Sequence, residues 1–284
     1  MLSERDALLL LLSIEGVGQV TLRRLLERYR SAKSVVLALE REGVSGLQSG
    51  CRQGGLAESC AAAKALGKEL EAARVLLLRQ GEPLFPRRIA ELPVPPAALF
   101  LQGDTNLLGV RSVAVVGKSR PSAKGARSSY ETARRLSREG ICVVSGNAAG
   151  VDFFAHKGAL DAGGRSIFVL PTGILRFVRH FGLPPRDTLL ERALLVSELH
   201  PLQSWATWAA LARNRLIAAL PDAVVSFRGD VGPGARRTLD HARQLGRKAA
   251  VLSGPDDPAL DDILRVPHGE RSHDDLFADS QLRR

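Results

Sequence analysis

From Ser112 to Leu252 the sequence repeats one unit: a short apolar run, a loop that opens on glycine or a polar residue, and a segment of helical period. The runs are Val113–Val116, Cys142–Ser145, Ser166–Leu170, Leu194–Ser197, Ala223–Phe227 and Ala249–Leu252. Between them lie helical segments at Ala126–Glu139, Phe153–Ala162, Leu189–Ala193, Trp205–Leu220 and Ala235–Leu245. Strands this short and this uniformly apolar are buried on both faces, and a parallel strand needs a crossover helix to return it to its starting end. The pattern therefore predicts an α/β fold with a doubly wound, mostly parallel sheet. In such sheets ligands bind beyond the carboxyl ends of the strands, where the strand order reverses.

The remaining segments read differently. Residues 1–80 form a helical amino-terminal domain, with a Leu-rich run at Arg5–Ile14 and a second helix at Thr21–Tyr29, where Leu22, Leu25 and Leu26 share a face. Gly16-Val17-Gly18 joins them as a tight turn. Helix, G-V-G turn and helix resemble the helix-hairpin-helix motif, in which glycines let backbone approach a phosphate, although the same pattern makes ordinary inter-helix turns. A glycine-rich stretch, Gly43–Gly55, precedes an Ala-rich helix expected over Leu56–Gln80. Residues 81–110 hold Pro83, Pro86, Pro93, Pro95 and Pro96, which predicts a stiff connector, with Leu99–Leu101 as a short edge strand. The core spans 111–254, and 255–284 is an acidic tail with seven Asp.

Charge follows the same divisions. Residues 1–110 carry 14 Lys+Arg and 12 Asp+Glu, residues 111–254 carry 22 and 10, and residues 255–284 carry 4 and 8. The excess sits in the core, as a polyanion-binding surface requires, unless it only reflects arginine-rich composition. No apolar run approaches the ~18 residues of a membrane span, and Leu8–Leu12 lacks the flanks of a secretory signal. Cys51, Cys60 and Cys142 are odd in number and show no C-x-x-C spacing, which argues against disulfides and zinc and for a reducing cytoplasm. Six His without H-E-x-x-H give no metal motif.

Four strand ends carry chemistry. After the first strand come Gly117, Lys118, Ser119, Arg120 and Ser122, offering amides, hydroxyls and cations at a helix start. This is neither a Walker loop nor G-x-G-x-x-G. After the second come Ser145, Gly146, Asn147 and Gly150, then Asp152 and His156 at i and i+4, a spacing that permits a hydrogen bond. Such a pair suits an oriented imidazole or, more simply, a structural pin. Third, Arg213, Asn214 and Arg215 interrupt an apolar helix and suggest a guanidinium fork held against a phosphate or carboxylate. Fourth, Gly232, Gly234 and Thr238 belong to a glycine-rich loop that opens a helix beside Arg236 and Arg237.

In this order the four segments resemble the DNA processing protein A (DprA/Smf) family, over about residues 84 to 254. Val113–Ser122 is similar to its V-A-I-V-G-T-R-x-A-S loop and Ser145–His156 to S-G-x-A-x-G-I-D-x-x-A-H. Arg213–Ile217 is similar to R-N-R-I, and Gly232–Gly246 to the glycine/serine loop that follows. The resemblance implies an extended Rossmann-like core behind a small helical (helix-hairpin-helix or SAM-like) domain. It implies single-stranded DNA binding, homodimerisation, loading of the RecA recombinase in natural transformation, no cofactor and no established enzymatic reaction. It assigns DNA contacts to Gly117, Lys118, Ser119, Arg120, Ser145, Gly146, Arg213 and Arg215, with Lys157 and Arg176 as further basic candidates. This chain departs from the pattern where Lys118-Ser119 replaces Thr-Arg, where Ala149 replaces an arginine, and where Gly232-Pro233-Gly234 replaces Ser-Gly-Ser. The acidic tail leaves no room for the family's winged-helix module.

Two other readings stand beside this one. The first is a nucleotide-binding or nucleotide-hydrolysing enzyme or sensor on the same scaffold, although P-G-G-x-G-T-x-x-E is absent. In the second, the Leu-rich helices of the first 80 residues serve as a face for a partner.

Overall fold

Parallel pairing brings each strand back to the same end of the sheet, so the chain builds strands and helices alternately. The computed structural model describes residues 2–41 and 55–265. The amino-terminal helices are α1 (Glu4–Ser13), α2 (Gln19–Tyr29), α3 (Ala32–Arg41) and α4 (Gly55–Ala72). Strand β1 (Leu76–Arg79), a short α5 (Arg87–Ala90) and β2 (Ala98–Gly103) follow. The core then runs β3 (Ser112–Val115), α6 (Ala123–Arg138), β4 (Cys142–Ser145), α7 (Val151–Asp161), β5 (Ser166–Val169), α8 (Arg186–Leu190) and β6 (Ala193–Ser197). It continues with α9 (Thr207–Ala212), α10 (Asn214–Ala219), β7 (Ala223–Phe227), α11 (Pro233–Gln244), β8 (Lys248–Leu252) and α12 (Pro258–Leu264).

The eight strands form one sheet in the order β1-β2-β6-β5-β4-β3-β7-β8. From β6 to β8 every pairing is parallel, while β2 pairs antiparallel with β6 and with β1. The chain winds outward from β3 through β4, β5 and β6, then returns to β3's other side as β7, so the order reverses between β3 and β7. The mostly parallel, doubly wound sheet expected from the apolar runs is present, Rossmann-like as the family resemblance implied, with a helical region in front of it.

Strand alternation builds two layers. Val113, Val115, Val143, Phe168, Leu195, Phe100 and Val225 face one side, under α6, α7, α12 and the amino-terminal helices. Ala114, Val144, Ile167, Val196, Leu99 and Val224 face the other, under α10 and α11. Leu8–Leu12 of α1 are buried in the same apolar cluster as Phe100, Phe168 and Leu195. Those leucines are covered by the chain itself, which removes them as an open face for a partner. Gln19 ties the layers together: its Oε1 accepts from the Ala97 and Ala98 amides at 2.8 and 3.1 Å, and its Nε2 donates to the Glu198 carbonyl.

Several sequence boundaries move for physical reasons. The helix expected over Leu56–Gln80 stops at Ala72, because Arg74 turns left-handed (φ 53°) and the apolar Leu76–Leu78 run joins the sheet as β1. Leu99–Leu101 is not an edge: β2 lies between β1 and β6, so the proline-rich segment passes through the sheet. Leu189–Ala193 is not one helix, since α8 ends at Leu190 and Ala193 already pairs in β6. Trp205–Leu220 is two helices that meet at Arg213. In the tail, Asp257 caps α12 through the Ala259 amide, and Leu260 and Ile263 are buried. All of the Gly43–Gly55 stretch except Gly55, with Cys51 in it, and residues 266–284 lie outside the described residues. Cys142 is buried in β4, where desolvation pushes its thiol pKa up to about 12, so it packs as a neutral apolar group.

Truncating Phe100, which the sheet and the amino-terminal helices bury jointly, removes packing shared by both layers. Phe100→Ala is expected to cost about 3–5 kcal/mol in urea denaturation. Phe181→Ala, at a side chain 97% exposed, is expected to stay within about 0.5 kcal/mol of the parent.

Candidate functional site

A cleft of about 620 Å³ opens at the carboxyl end of the sheet, where the strand order reverses. Its walls come from the β3–α6 loop (Gly117, Lys118, Ser119, Arg120), the start of α7 (Asp152), α9 and α10 (Thr207, Leu211, Arg213, Asn214) and the start of α11 (Gly232–Ala235, Thr238). The lining unites residues from all four loops singled out in the sequence.

The β3–α6 loop is held by buried Asp230, a residue with no local sequence signal because the Ser122 it binds lies 108 positions away. Its carboxylate accepts from the Ser122 amide and hydroxyl at 2.8 and 2.7 Å, and its carbonyl accepts from the Lys118 amide at 2.9 Å. Ser122 Oγ in turn accepts from the Gly125 amide and caps α6. Across the loop, Lys118 O accepts from the Val151 amide at 3.1 Å. Gly150 makes this approach possible: it sits at φ 75°, and a Cβ there would enter the Lys118–Ser119 backbone. Lys118 Nζ donates to Gly229 O at 2.7 Å, while Ser119 and Arg120 stand exposed.

The cleft floor rests on Arg213. The Arg213 residue is only 5% exposed. It donates to Gly146 O at 2.6 Å and pairs with Asp152 Oδ2 at 3.6 Å. Asp152 also accepts from the Ala148 amide at 3.3 Å. Burial pushes the Asp152 carboxyl above its ordinary pKa while Arg213 opposes that rise, and burial pushes Arg213 down while Asp152 opposes the fall. Gly146 has no side chain because a Cβ would occupy the guanidinium's place.

The expected fork is not formed. Arg213 and Arg215 diverge, and Arg215 pairs instead with buried Glu198 at 2.5 Å, outside the cleft lining. Residues two apart on a helical backbone do not share a face, and Arg213 keeps helical dihedrals at the α9–α10 junction, so the two side chains point apart. Nor do Asp152 and His156 bond to each other. His156 Nδ1 lies 2.8 Å from Ser166 Oγ, which donates to Val143 O, and its ring stacks on Phe168 at 3.5 Å. Burial holds this imidazole well below its ordinary pKa. Ser145 Oγ donates to Val115 O and ties β4 to β3. Asn147, left-handed at φ 53°, donates to Val178 O and accepts from His180 through its carbonyl. Lys157 pairs with Asp161 and Arg176 donates to Leu202 O, so neither joins the cleft.

What remains turned toward the opening is cationic and amide-rich. α11 has no side-chain cap, and Pro233 at its first position carries no N–H, so the Gly234 and Ala235 amides at the cleft have no intrahelical acceptor. Thr238 Oγ1 and Asn214 Nδ2 both donate to Gly234 O and fix that turn. Arg236 and Arg237 are exposed in the first turns of α11. Helix dipole, free amides and guanidinium groups together favour an anion. Thr207 and Leu211 complete the wall, and the sequence signal for them is the Trp- and Ala-rich segment Trp205–Ala212 ahead of Arg213.

The family model described as DNA recombination-mediator protein A matches residues 76–261. DNA processing protein DprA of Bacillus subtilis is 31% identical over 161 residues, which are 56% of this chain and 54% of that protein. The chain thus spans about half the length of the curated relatives it matches. A structure of DNA processing protein A from Helicobacter pylori, described for its single-stranded DNA binding mode, superposes with a TM-score of 0.53 at 26% identity, covering 74% of this chain and 96% of that one. The Streptococcus pneumoniae protein of the same name shares the fold, with a TM-score of 0.61 at 24% identity over 96% of this chain and 97% of its own.

Removing the Arg213 guanidinium leaves Asp152 buried and unpaired. Arg213→Ala is expected to cost about 3–5 kcal/mol in chemical denaturation, more than a lost ligand contact would. His156 is neutral in the folded chain, whereas an unfolded histidine binds a proton below its ordinary pKa of 6.5. The unfolded state then holds more protons, so stability falls as pH drops through that value, with a slope approaching ~1.4 kcal/mol per pH unit. His156→Phe is expected to remove this component from the pH dependence of unfolding.

Proposed function

This chain belongs to the DNA recombination-mediator protein A family, and on that premise we propose that its switch-point cleft binds the phosphate backbone of single-stranded DNA. The observation that carries the reading is the cleft itself: free α11 amides and exposed Lys118 and Arg120 line an opening built where such sheets bind ligands, with Arg236 and Arg237 exposed on the same helix. The single-strand binding described for the Helicobacter pylori protein supports the choice of polyanion. The contacts fall to Gly117, Lys118, Ser119, Arg120, Gly232, Gly234 and Asn214. Ser122, Ser145, Gly146, Asn147, Gly150, Asp152, Arg213 and Thr238 shape the loops, and Arg215 and His156 brace the elements behind them.

Held in this way, a strand is protected and then passed to a recombinase of the RecA type in the cytoplasm, with the protein acting as a homodimer in natural transformation. A binding role also suits the cleft better than nucleotide hydrolysis does. Asp152 is the one carboxylate among the lining residues, and Arg213 and the Ala148 amide engage it. General acid–base chemistry needs a group free to exchange a proton with the ligand.

A salt-stepped titration of a labelled single strand and its duplex tests the proposal. Lys118→Ala/Arg120→Ala is expected to weaken binding and to reduce the slope of log K against log salt by about 1.4, or ~0.7 for each lost phosphate contact. An unchanged slope, or base release from nucleoside monophosphates by the pure protein, would favour the nucleotide-handling alternative.

A further inference from the structure

Tryptophan is highly buried on average, because its indole exposes more apolar surface than any other side chain. This chain has two, Trp205 and Trp208, and they stand 63% and 58% exposed. Their place in the fold is specific. Trp208 is on α9, the helix whose Thr207, Ala210 and Leu211 line the cleft. It precedes Leu211 by three residues, so the two are neighbours on the helix surface and the indole stands at the cleft rim. Trp205 lies two residues before α9 on the same approach. Nothing in the folded core requires either side chain: the residue of α9 buried against the sheet is Ala209.

The chemistry of the cleft identifies what these rings meet. A backbone seated by its phosphates on the α11 amides and on Arg120 carries its bases outward, toward the rim. An indole face stacks on any base, whereas a duplex keeps its base faces covered by one another. The opening beside these rings joins exposed Lys118, Ser119 and Arg120 to apolar Ala210 and Leu211, a mixture that fits a strand carrying phosphates next to uncovered base faces.

We infer that Trp208, with Trp205 beside it, is a base-stacking platform that makes the cleft selective for unpaired strands. This deepens the phosphate-binding reading and rests on it. Two contributions then add: the cleft holds phosphate whatever the sequence, and the rim requires bases whose faces are free.

The two contributions separate with two probes, oligothymidylate of ~20 nucleotides and a strand of the same length built from abasic deoxyribose phosphates. Binding is followed by anisotropy of a label on the strand and, in parallel, by intrinsic tryptophan fluorescence, which reports on α9 and the residues just before it because both tryptophans lie there. The expected result is tighter binding of oligothymidylate than of the abasic strand, with indole quenching by oligothymidylate only. Trp208→Ala should lower oligothymidylate affinity about 5- to 100-fold and leave abasic binding unchanged, and Trp208→Phe should restore most of the loss. Both variants are at an exposed side chain, so folding is retained and is checked by thermal melting. Equal affinity for the two strands, or full affinity in Trp208→Ala, overturns the platform and leaves the phosphate cleft standing. Failure of both strands to bind at low salt overturns the cleft reading and the platform together.

Discussion

A guanidinium taken out of water must be matched by both charge and acceptors, and the site is organised around the one that meets this demand, Arg213. Desolvation costs several kcal/mol per ion, so a buried pair holds only where its contacts are complete. Arg213 reaches the Gly146 carbonyl at the end of β4 and Asp152 in the first turn of α7 while itself forming the junction of α9 and α10. Three elements that approach the carboxyl edge from different directions are thereby set against one another. Gly146 and Gly150 follow from that requirement, because a side chain at the first would displace the guanidinium and at the second would separate α7 from the β3–α6 loop.

The same economy of charge extends outward. Inside the protein, charged groups are neutralised in place: Arg213 with Asp152, Arg215 with Glu198, and Arg88 with Asp222, which also accepts from the Ser112 amide. Arg120 at the cleft, and Arg236 and Arg237 on α11, are instead exposed to solvent. A net excess of 12 positive charges over residues 111–254 therefore describes a surface property more than a core property. The arginines of the R-N-R segment belong to the first group. Their charges are neutralised inside the protein, whereas the α11 amides and the β3–α6 loop cations face the opening.

The helices ahead of the core also change meaning once packed. Leu8–Leu12 read as an apolar stripe in need of a partner, and the partner is the sheet, through Phe100, Phe168 and Leu195. β1 and β2 extend that sheet beyond its parallel part, with β2 antiparallel to β6 and stapled by Gln19. No helix among the described residues is long and apolar enough to cross a membrane.

The parallel sheet was readable because burial on both faces leaves runs such as Val113–Val116 and Ala223–Phe227 with no polar position, a signature local in sequence. The loops were readable for a similar reason, since glycine at a strand end and a cation or hydroxyl after it are adjacent residues. What the sequence could not settle were relations between residues far apart along the chain. Asp230 supports Ser122 from 108 positions away, and Gly146 accepts from Arg213 across 67. Arg213 and Arg215 look equivalent as neighbours, yet they lie on different helix faces, and packing sets one in the cleft floor and the other against Glu198. Periodicity specifies which face a residue takes on its own element. Only the packing of elements decides which charge it meets there, because ion pairing is set by distance in space and not by separation in sequence.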